Sequence, residues 1–306
     1  MKPLRPADLV PAESSRRSLI SRRNLLLGGL GVTAFSGAAI GGYAGAEAAW
    51  MLDVTRYRLT PRHWPAGQRL TITVIADIHA GGPNMGLQRI RDIVDASNAL
   101  RSDIVLLLGD FVATHRFVTE PVPAPVWASE LARLKAPLGV HAILGNHDWW
   151  FHHSEIRGAL AAVQIPVMEN HAVLLGEAGA RFWLAGLGDQ IAFPMGRGRF
   201  RGVDDLPGTM AKITTDDPVI LMVHEPDIFT QVPDRVALTL AGHTHGGQVR
   251  LPLIWPSLVP SAYGARFAYG HIVEAGRHLI VSGGLGTSIV PLRIGVPPEI
   301  VHVELG

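Results

Sequence analysis

Five short apolar runs in this chain each end in residue types that can ligate metal ions, and that succession constrains the fold more than any other feature. Leu70 to Ala76 ends in Asp77-Ile78-His79. Asp103 to Leu108 ends in Gly109-Asp110, and Gly139 to Leu144 in Gly145-Asn146-His147-Asp148. Val219 to Val223 leads into His224-Glu225-Pro226, and Val236 to Leu240 into Ala241-Gly242-His243-Thr244-His245-Gly246-Gly247-Gln248. Runs this short and apolar read as buried strands, and open α/β sheets keep their sites beyond the carboxyl ends of such strands. If the strand alternation persists into the turns, Asp77 and His79 share one side. His243 and His245 do likewise, with Thr244 opposite. A single Gly-Asp after a strand is usually a turn, and a single buried histidine is usually just hydrogen-bonded. Five such ends in succession point to a shared site.

The intervening stretches supply helices and further strands. Leu87, Ile90, Ile93, Val94 and Leu100 recur at helical spacing, Val126 to Leu134 reads as a short helix, and Ser154 caps a helix to Val163 with Glu155 in its first turn. Val54 to Leu59, Val167 to Leu175, Arg181 to Leu187, His271 to Glu274, His278 to Ser282 and Ile300 to Glu304 read as strands. The 306 residues fit one domain of about 250 residues with an appendage. A hydrophobic content of 47% is ample for its core. The absence of cysteine excludes disulfides, thiolate ligands and a cysteine nucleophile.

The net charge of +1 hides an asymmetry. Residues 1–46 carry six basic and two acidic residues, whereas the remainder carries 21 basic and 24 acidic ones. The body therefore offers no electrostatic case for nucleic acid. The basic segment reads as a targeting leader: Ser21-Arg22-Arg23-Asn24-Leu25-Leu26-Leu27 resembles a twin-arginine export motif and implies the twin-arginine machinery as a partner. Ser15-Arg16-Arg17 offers a second register. From Leu25 to Ala46 no residue is charged, and Ala44-Gly45-Ala46 offers a small-residue cleavage site. The leader is either removed there or retained as a membrane anchor, since about 20 apolar residues span a bilayer. The expected division is residues 1–46 as leader and 47–306 as body, exported across or anchored to a bacterial inner membrane.

Together, Asp77-x-His79, Gly109-Asp110, Gly145-Asn146-His147-Asp148, His224 and Gly242-His243-x-His245 resemble the five-block signature of calcineurin-like metallophosphoesterases, in the family's order. His243-Thr244-His245-Gly246-Gly247-Gln248 and the segment from Pro291 to Ile300 are similar to a bacterial exported or membrane-bound branch. That branch resembles hydrolases of UDP-2,3-diacylglucosamine in lipid A synthesis. The resemblance implies a four-layer α/β/β/α sandwich and a two-metal site. One ion would take Asp77, His79, Asp110 and His245. The other would take Asp110, Asn146, His224 and His243, with Asp110 as the bridge. Carboxylate and imidazole ligands suit Mn²⁺, Fe²⁺ or Zn²⁺. His147 would be the general acid and Asp148 would orient it. The implied activity is hydrolysis of phosphodiesters or pyrophosphates, with a lipid-linked substrate or a UDP-sugar as narrower alternatives. UDP-linked intermediates are not expected outside the inner membrane, so the leader argues against the latter.

Three more stretches stand near these blocks. Trp149-Trp150-Phe151 either lines a leaving-group pocket or packs the next helix. Arg197, Arg199 and Arg201 in a Gly-rich loop either hold a distal phosphate or face solvent. The apolar loop from Leu251 to Gly270, with Trp255, Tyr263, Phe267 and Tyr269, either docks lipid or covers the core.

Overall fold

The structure is a computed structural model, and it describes residues 41–250 and 258–306. The leader expectations fall mostly before residue 41, and Trp255 also lies outside the described residues. One compact unit runs from Tyr43 to Gly306. Residues 43–50 are helical, with Ala44, Glu47 and Ala48 buried. Ala44 O accepts from Arg293 N, and Glu47 Oε1 from Val296 N. No described helix is long and apolar enough to cross a membrane.

Two sheets carry the fold. The first has the order β1-β13-β2-β3-β4, from Asp53–Leu59 (β1), Glu299–Leu305 (β13), Leu70–Ile75 (β2), Ile104–Leu107 (β3) and Val140–Ala142 (β4). The second runs β11-β12-β10-β9-β6-β5, from Gly270–Glu274 (β11), Arg277–Val281 (β12), Val236–Ala241 (β10), Val219–Met222 (β9), Phe182–Gly186 (β6) and His171–Leu175 (β5). β2, β3 and β4 are parallel, as are β6, β9, β10 and β12, so the ligand-bearing turns all leave carboxyl ends.

The period of two decides the layers. Ile72, Val74, Ile104 and Leu106 of the first sheet meet Leu184, Ile220, Leu238 and Leu240 of the second in one buried cluster. The alternate residues Ile75, Val105 and Leu107 face the helices Leu87–Ala99, Ala124–Leu131 and His153–Ala162. On the far side, Ala185, Leu221 and Leu279 pack with Leu206, Phe229 and Phe267, from the helix Leu206–Ala211 and the 3-10 turns Pro226–Gln231 and Gly264–Phe267. The result is the expected α/β/β/α sandwich, thinner on this second helical side. Both faces of each sheet are covered, which explains why the strands read as continuous apolar runs.

Some elements differ from the sequence reading. The helix expected over 126–134 runs from Ala124 to Leu131, because Pro123 and Pro125 favour a helix start. The helix expected from Ser154 starts at His153, without a side-chain cap. The hairpin of Phe193–Pro194 (β7) with Phe200–Arg201 (β8) is too short to leave a periodic signal.

Candidate metal centre

The turns after β2, β3 and β10 abandon the pleat. Asp77, His79, Asp110, His243 and His245 all have positive φ, between 45° and 69°. Such a backbone is uncommon outside glycine and clusters where function over-determines it. The side chains converge through these left-handed turns, and the expectation that alternation would carry them to one side gives way to that geometry. Gly145 has a matching reason: a Cβ there would overlap both Asp110 Oδ1 and the His224 ring.

Seven of the nine expected site residues are almost wholly buried: Asp77, His79, Asp110, Asn146, Asp148, His224 and His245. Asp110 Oδ2 lies 3.5 Å from His79 Nε2 and 3.2 Å from His224 Nε2, between the two groups of ligands. Asp110 Oδ1 accepts from His147 N at 2.8 Å. On one side, His245 Nε2 lies 3.0 Å from His79 Nε2 and 3.7 Å from Asp77 Oδ1. On the other, His243 Nδ1 is 2.9 Å from Asn146 Oδ1, and its ring packs edge-on against His224. Two backbone carbonyls fix the rings: His79 Nδ1 donates to Val112 O and His224 Nδ1 to Leu108 O, which turns each Nε2 toward the cluster.

The electrostatics are those of a cation site. Burial pushes the Asp77 carboxyl up to about 7, and its Oδ2 has no hydrogen-bond partner. Burial lowers His79 to about 3, and burial, His79 and Arg293 hold His245 well below its usual range. Burial opposes ionisation of Asp110, but His224, His147 and His79 hold it well below the usual carboxylate range. These ligand atoms lie close enough to share ions, in the groups Asp77–His79–His245 and Asp77–Asp110–His224. Hard carboxylate and borderline imidazole donors, an orphaned buried oxygen and no thiolate together fit divalent Mn, Fe or Zn.

The Asp148–His147 contact is a correction. Asp148 does not touch the imidazole. Its Oδ2 accepts from Asp110 N and Gly145 N, and its Oδ1 from Phe111 N and Val112 N. It ties the turn after β3 to the turn after β4. Burial, then Asp110, pushes its carboxyl up to about 8. The His147 ring is held instead by Thr114, whose hydroxyl meets Nδ1, and by Ser288 Oγ, 3.2 Å from Nε2. Neither hydroxyl carries a sequence signal.

Three more residues join the site without having been assigned a role. Glu225 groups with His224 and His243, and its Oε2 accepts from Gln190 N. Burial and the neighbouring Glu225 push the Asp189 carboxyl up to about 11, so it stays protonated beside it. Arg293, fully buried, approaches His245 Nδ1 at 3.2 Å. Trp150 faces His147 at 5.2 Å between ring centroids, and its Nε1 donates to Ile191 O.

Comparison with known proteins agrees with this geometry. The calcineurin-like phosphoesterase family matches residues 70–247, which span all five turns. The metallophosphoesterase YkuE of Bacillus subtilis is 29% identical, over 94% of this chain and 98% of its own length. The phosphodiesterase YaeI of Escherichia coli is 28% identical, over 76% of this chain and 81% of its own. Among solved structures, a 5'-nucleotidase precursor from Thermus thermophilus is 14% identical with a TM-score of 0.46, covering 78% of this chain. The chain spans about half of that protein's length, 54%. The chain belongs to the calcineurin-like phosphoesterases and is a metal-dependent phosphoester hydrolase.

Proposed function

We propose that the chain is a two-metal phosphodiesterase or pyrophosphatase of the cell envelope. The position of Asp110 Oδ2 carries the reading, because it stands within 3.5 Å of one imidazole from each ligand group. In this reading Asp77, His79, Asp110 and His245 hold one ion, and Asp110, Asn146, His224 and His243 hold the other. A divalent pair bound there would neutralise phosphoryl charge and lower the pKa of a water for in-line attack.

The chain's own residues do the rest. His79 and His224 present Nε2 in fixed positions because Val112 and Leu108 hold their other nitrogens. Asp148 fixes the Asp110 turn through four amides. His147, with its ring between Thr114 and Ser288, delivers a proton from Nε2 to the departing alkoxide. Burial lowers its pKa, which makes the protonated ring a stronger acid but a scarcer one at neutral pH.

The leader and the phosphodiesterase YaeI support a diester substrate met at the envelope, and the apolar length of the loop from Leu251 to Gly270 supports a lipid-linked one. Ala44 and Glu47 are tied into the body, so cutting after Ala46 would place a new charged terminus at a buried helix; this favours a retained leader. The test pairs a generic substrate panel of diesters, monoesters and a UDP-sugar pyrophosphate with cell fractionation of an Arg22→Lys/Arg23→Lys variant. Diester turnover and retention of the variant inside the cell are expected. Turnover of the UDP-sugar alone, or export of the variant in normal amounts, would contradict the reading.

A further inference from the structure

The mouth of the site is rimmed by side chains that soluble surfaces rarely group. Met195 is 54% exposed, Phe200 43%, Phe151 54% and Ile289 75%. Phe200, Phe151 and Ile289 are linked to His147 through Trp150 or Ser288, and Met195 lies on the same hairpin as Phe200. Trp150 faces His147 and stacks on Phe200 at 6.0 Å, Phe151 follows Trp150, and Ile289 follows Ser288. Grouped exposed apolar side chains of this kind mark an interaction surface.

The β7–β8 hairpin gives that surface its character. Its tip is Met195-Gly196-Arg197-Gly198-Arg199, followed by Phe200-Arg201, and residues 194–201 are exposed. Residues 190–203 contain no acidic side chain. Arg197 and Arg199 make no ion pair among the described residues, while Arg201 lies over the Phe193 ring at 4.8 Å. The hairpin is nonetheless fixed to the site, through the Trp150 Nε1 bond to Ile191 O and the packing of Trp149 against Phe193. Unpaired arginines interleaved with Met and Phe on a short, anchored tip match an anionic bilayer surface: guanidinium groups meet lipid phosphates while the apolar side chains enter the acyl boundary. A polar protein partner would leave Met195 and Phe200 without a complement, and a soluble polyanion would do the same.

We propose that this rim, with the β7–β8 hairpin as its anchor, docks the catalytic face on an anionic phospholipid bilayer. The proposal rests on the envelope reading above and deepens it: the substrate is a phosphoester whose apolar part stays in the membrane. A cavity of about 200 Å³ lies beside the turns that carry His79 and Asp110; its walls are mostly apolar, with Ala80, Val112, Val122, Phe151 and Ile156 beside His152 and Glu155, and the apolar part suits a segment of such a substrate.

The absence of cysteine makes a direct test practical. Met195→Cys in the full chain is labelled with an environment-sensitive fluorophore and bound to vesicles of phosphatidylcholine, with or without phosphatidylglycerol, containing nitroxide-labelled lipids. A label at exposed Glu177→Cys, outside the rim, is the reference. The Met195 label should be quenched in anionic vesicles and spared in neutral ones. Arg197→Gln/Arg199→Gln should weaken this docking roughly 25-fold, at about five-fold for each arginine, and high salt should act in the same direction. Equal quenching at Met195 and Glu177 would overturn the proposal. So would quenching that ignores both salt and the arginine changes. Loss of soluble-diester turnover in the arginine variant with unchanged label depth would assign the arginines to substrate phosphate instead. The readout is depth rather than turnover, so failure of docking and failure of the hydrolytic reading are distinguishable.

Discussion

Arg293 Nη2 stands 3.2 Å from Nδ1 of His245, with both side chains buried. A guanidinium has no acceptor, so it donates to Nδ1; the neutral ring then keeps its proton on Nε2, and an ion bound at Nε2 would have to displace that proton. The same side chain donates to Gly286 O through Nε and Nη2 and to Val296 O through Nη1. Gly286 N in turn donates to Asp77 O. One cation thus holds the position of His245 and the turn beside Asp77. Arg293→Met keeps the length and removes the donors. We expect metal affinity to fall roughly 10–100-fold, the usual cost of losing a group that orients a ligand, with Arg293→Lys in between. Titration of the metal-free chain with Mn²⁺ checks this, and unchanged affinity in the Met variant would contradict it.

Asp148 and His147 are neighbours with separable roles. Asp148→Ala leaves four buried amides unpaired and should cost at least about 3 kcal/mol of stability, seen as a lower Tm together with lost metal. His147→Ala should keep both Tm and metal. It should slow hydrolysis of alkyl diesters about 10²–10⁴-fold and that of nitrophenyl diesters far less, because nitrophenolate leaves without a proton. A His147 variant that loses metal, or that slows both substrates equally, would remove it as the acid.

Thermal stability should depend on pH and metal together. Asp77 has a folded pKa of about 7 against an unfolded value near 3.8. The metal-free fold therefore holds a proton that the unfolded chain has lost, and this group's contribution to stability declines from about pH 4 to pH 7 and is flat above. His79, lowered to about 3, acts on the other side: the unfolded chain takes up a proton below about pH 6.5 and the fold does not, so acid destabilises the fold. A bound cation must displace the Asp77 proton. The Tm increment produced by Mn²⁺ over chelator should therefore grow as pH rises toward the Asp77 value of about 7. Scanning calorimetry with and without chelator measures it, and an increment independent of pH would contradict the assignment of Asp77.

Much of this architecture was legible in the chain because its strands are buried on both faces and end in chemically unusual residues. The runs at Leu70, Asp103, Val219 and Val236 read correctly, and their ends converge. What the sequence hid was conformational. Positive φ at His243 and His245 replaced the pleat, and no periodicity reports a left-handed turn. Adjacency misled at Asp148, whose carboxyl turns back to the amides of Asp110 and Phe111 rather than to the next ring. Thr114, Ser288 and Arg293 reach the site from distant segments, through contacts that only the folded chain defines.

The central claim is a two-ion centre shared through Asp110, and elemental analysis of the purified chain beside its Asp110→Asn variant tests it most directly, with phosphodiester turnover measured on the same samples. Two equivalents of divalent metal per wild-type chain are expected, with less than one in the variant and no turnover in either the variant or the chelated wild type. A single equivalent in the active enzyme, or turnover that survives complete removal of metal, would contradict the account.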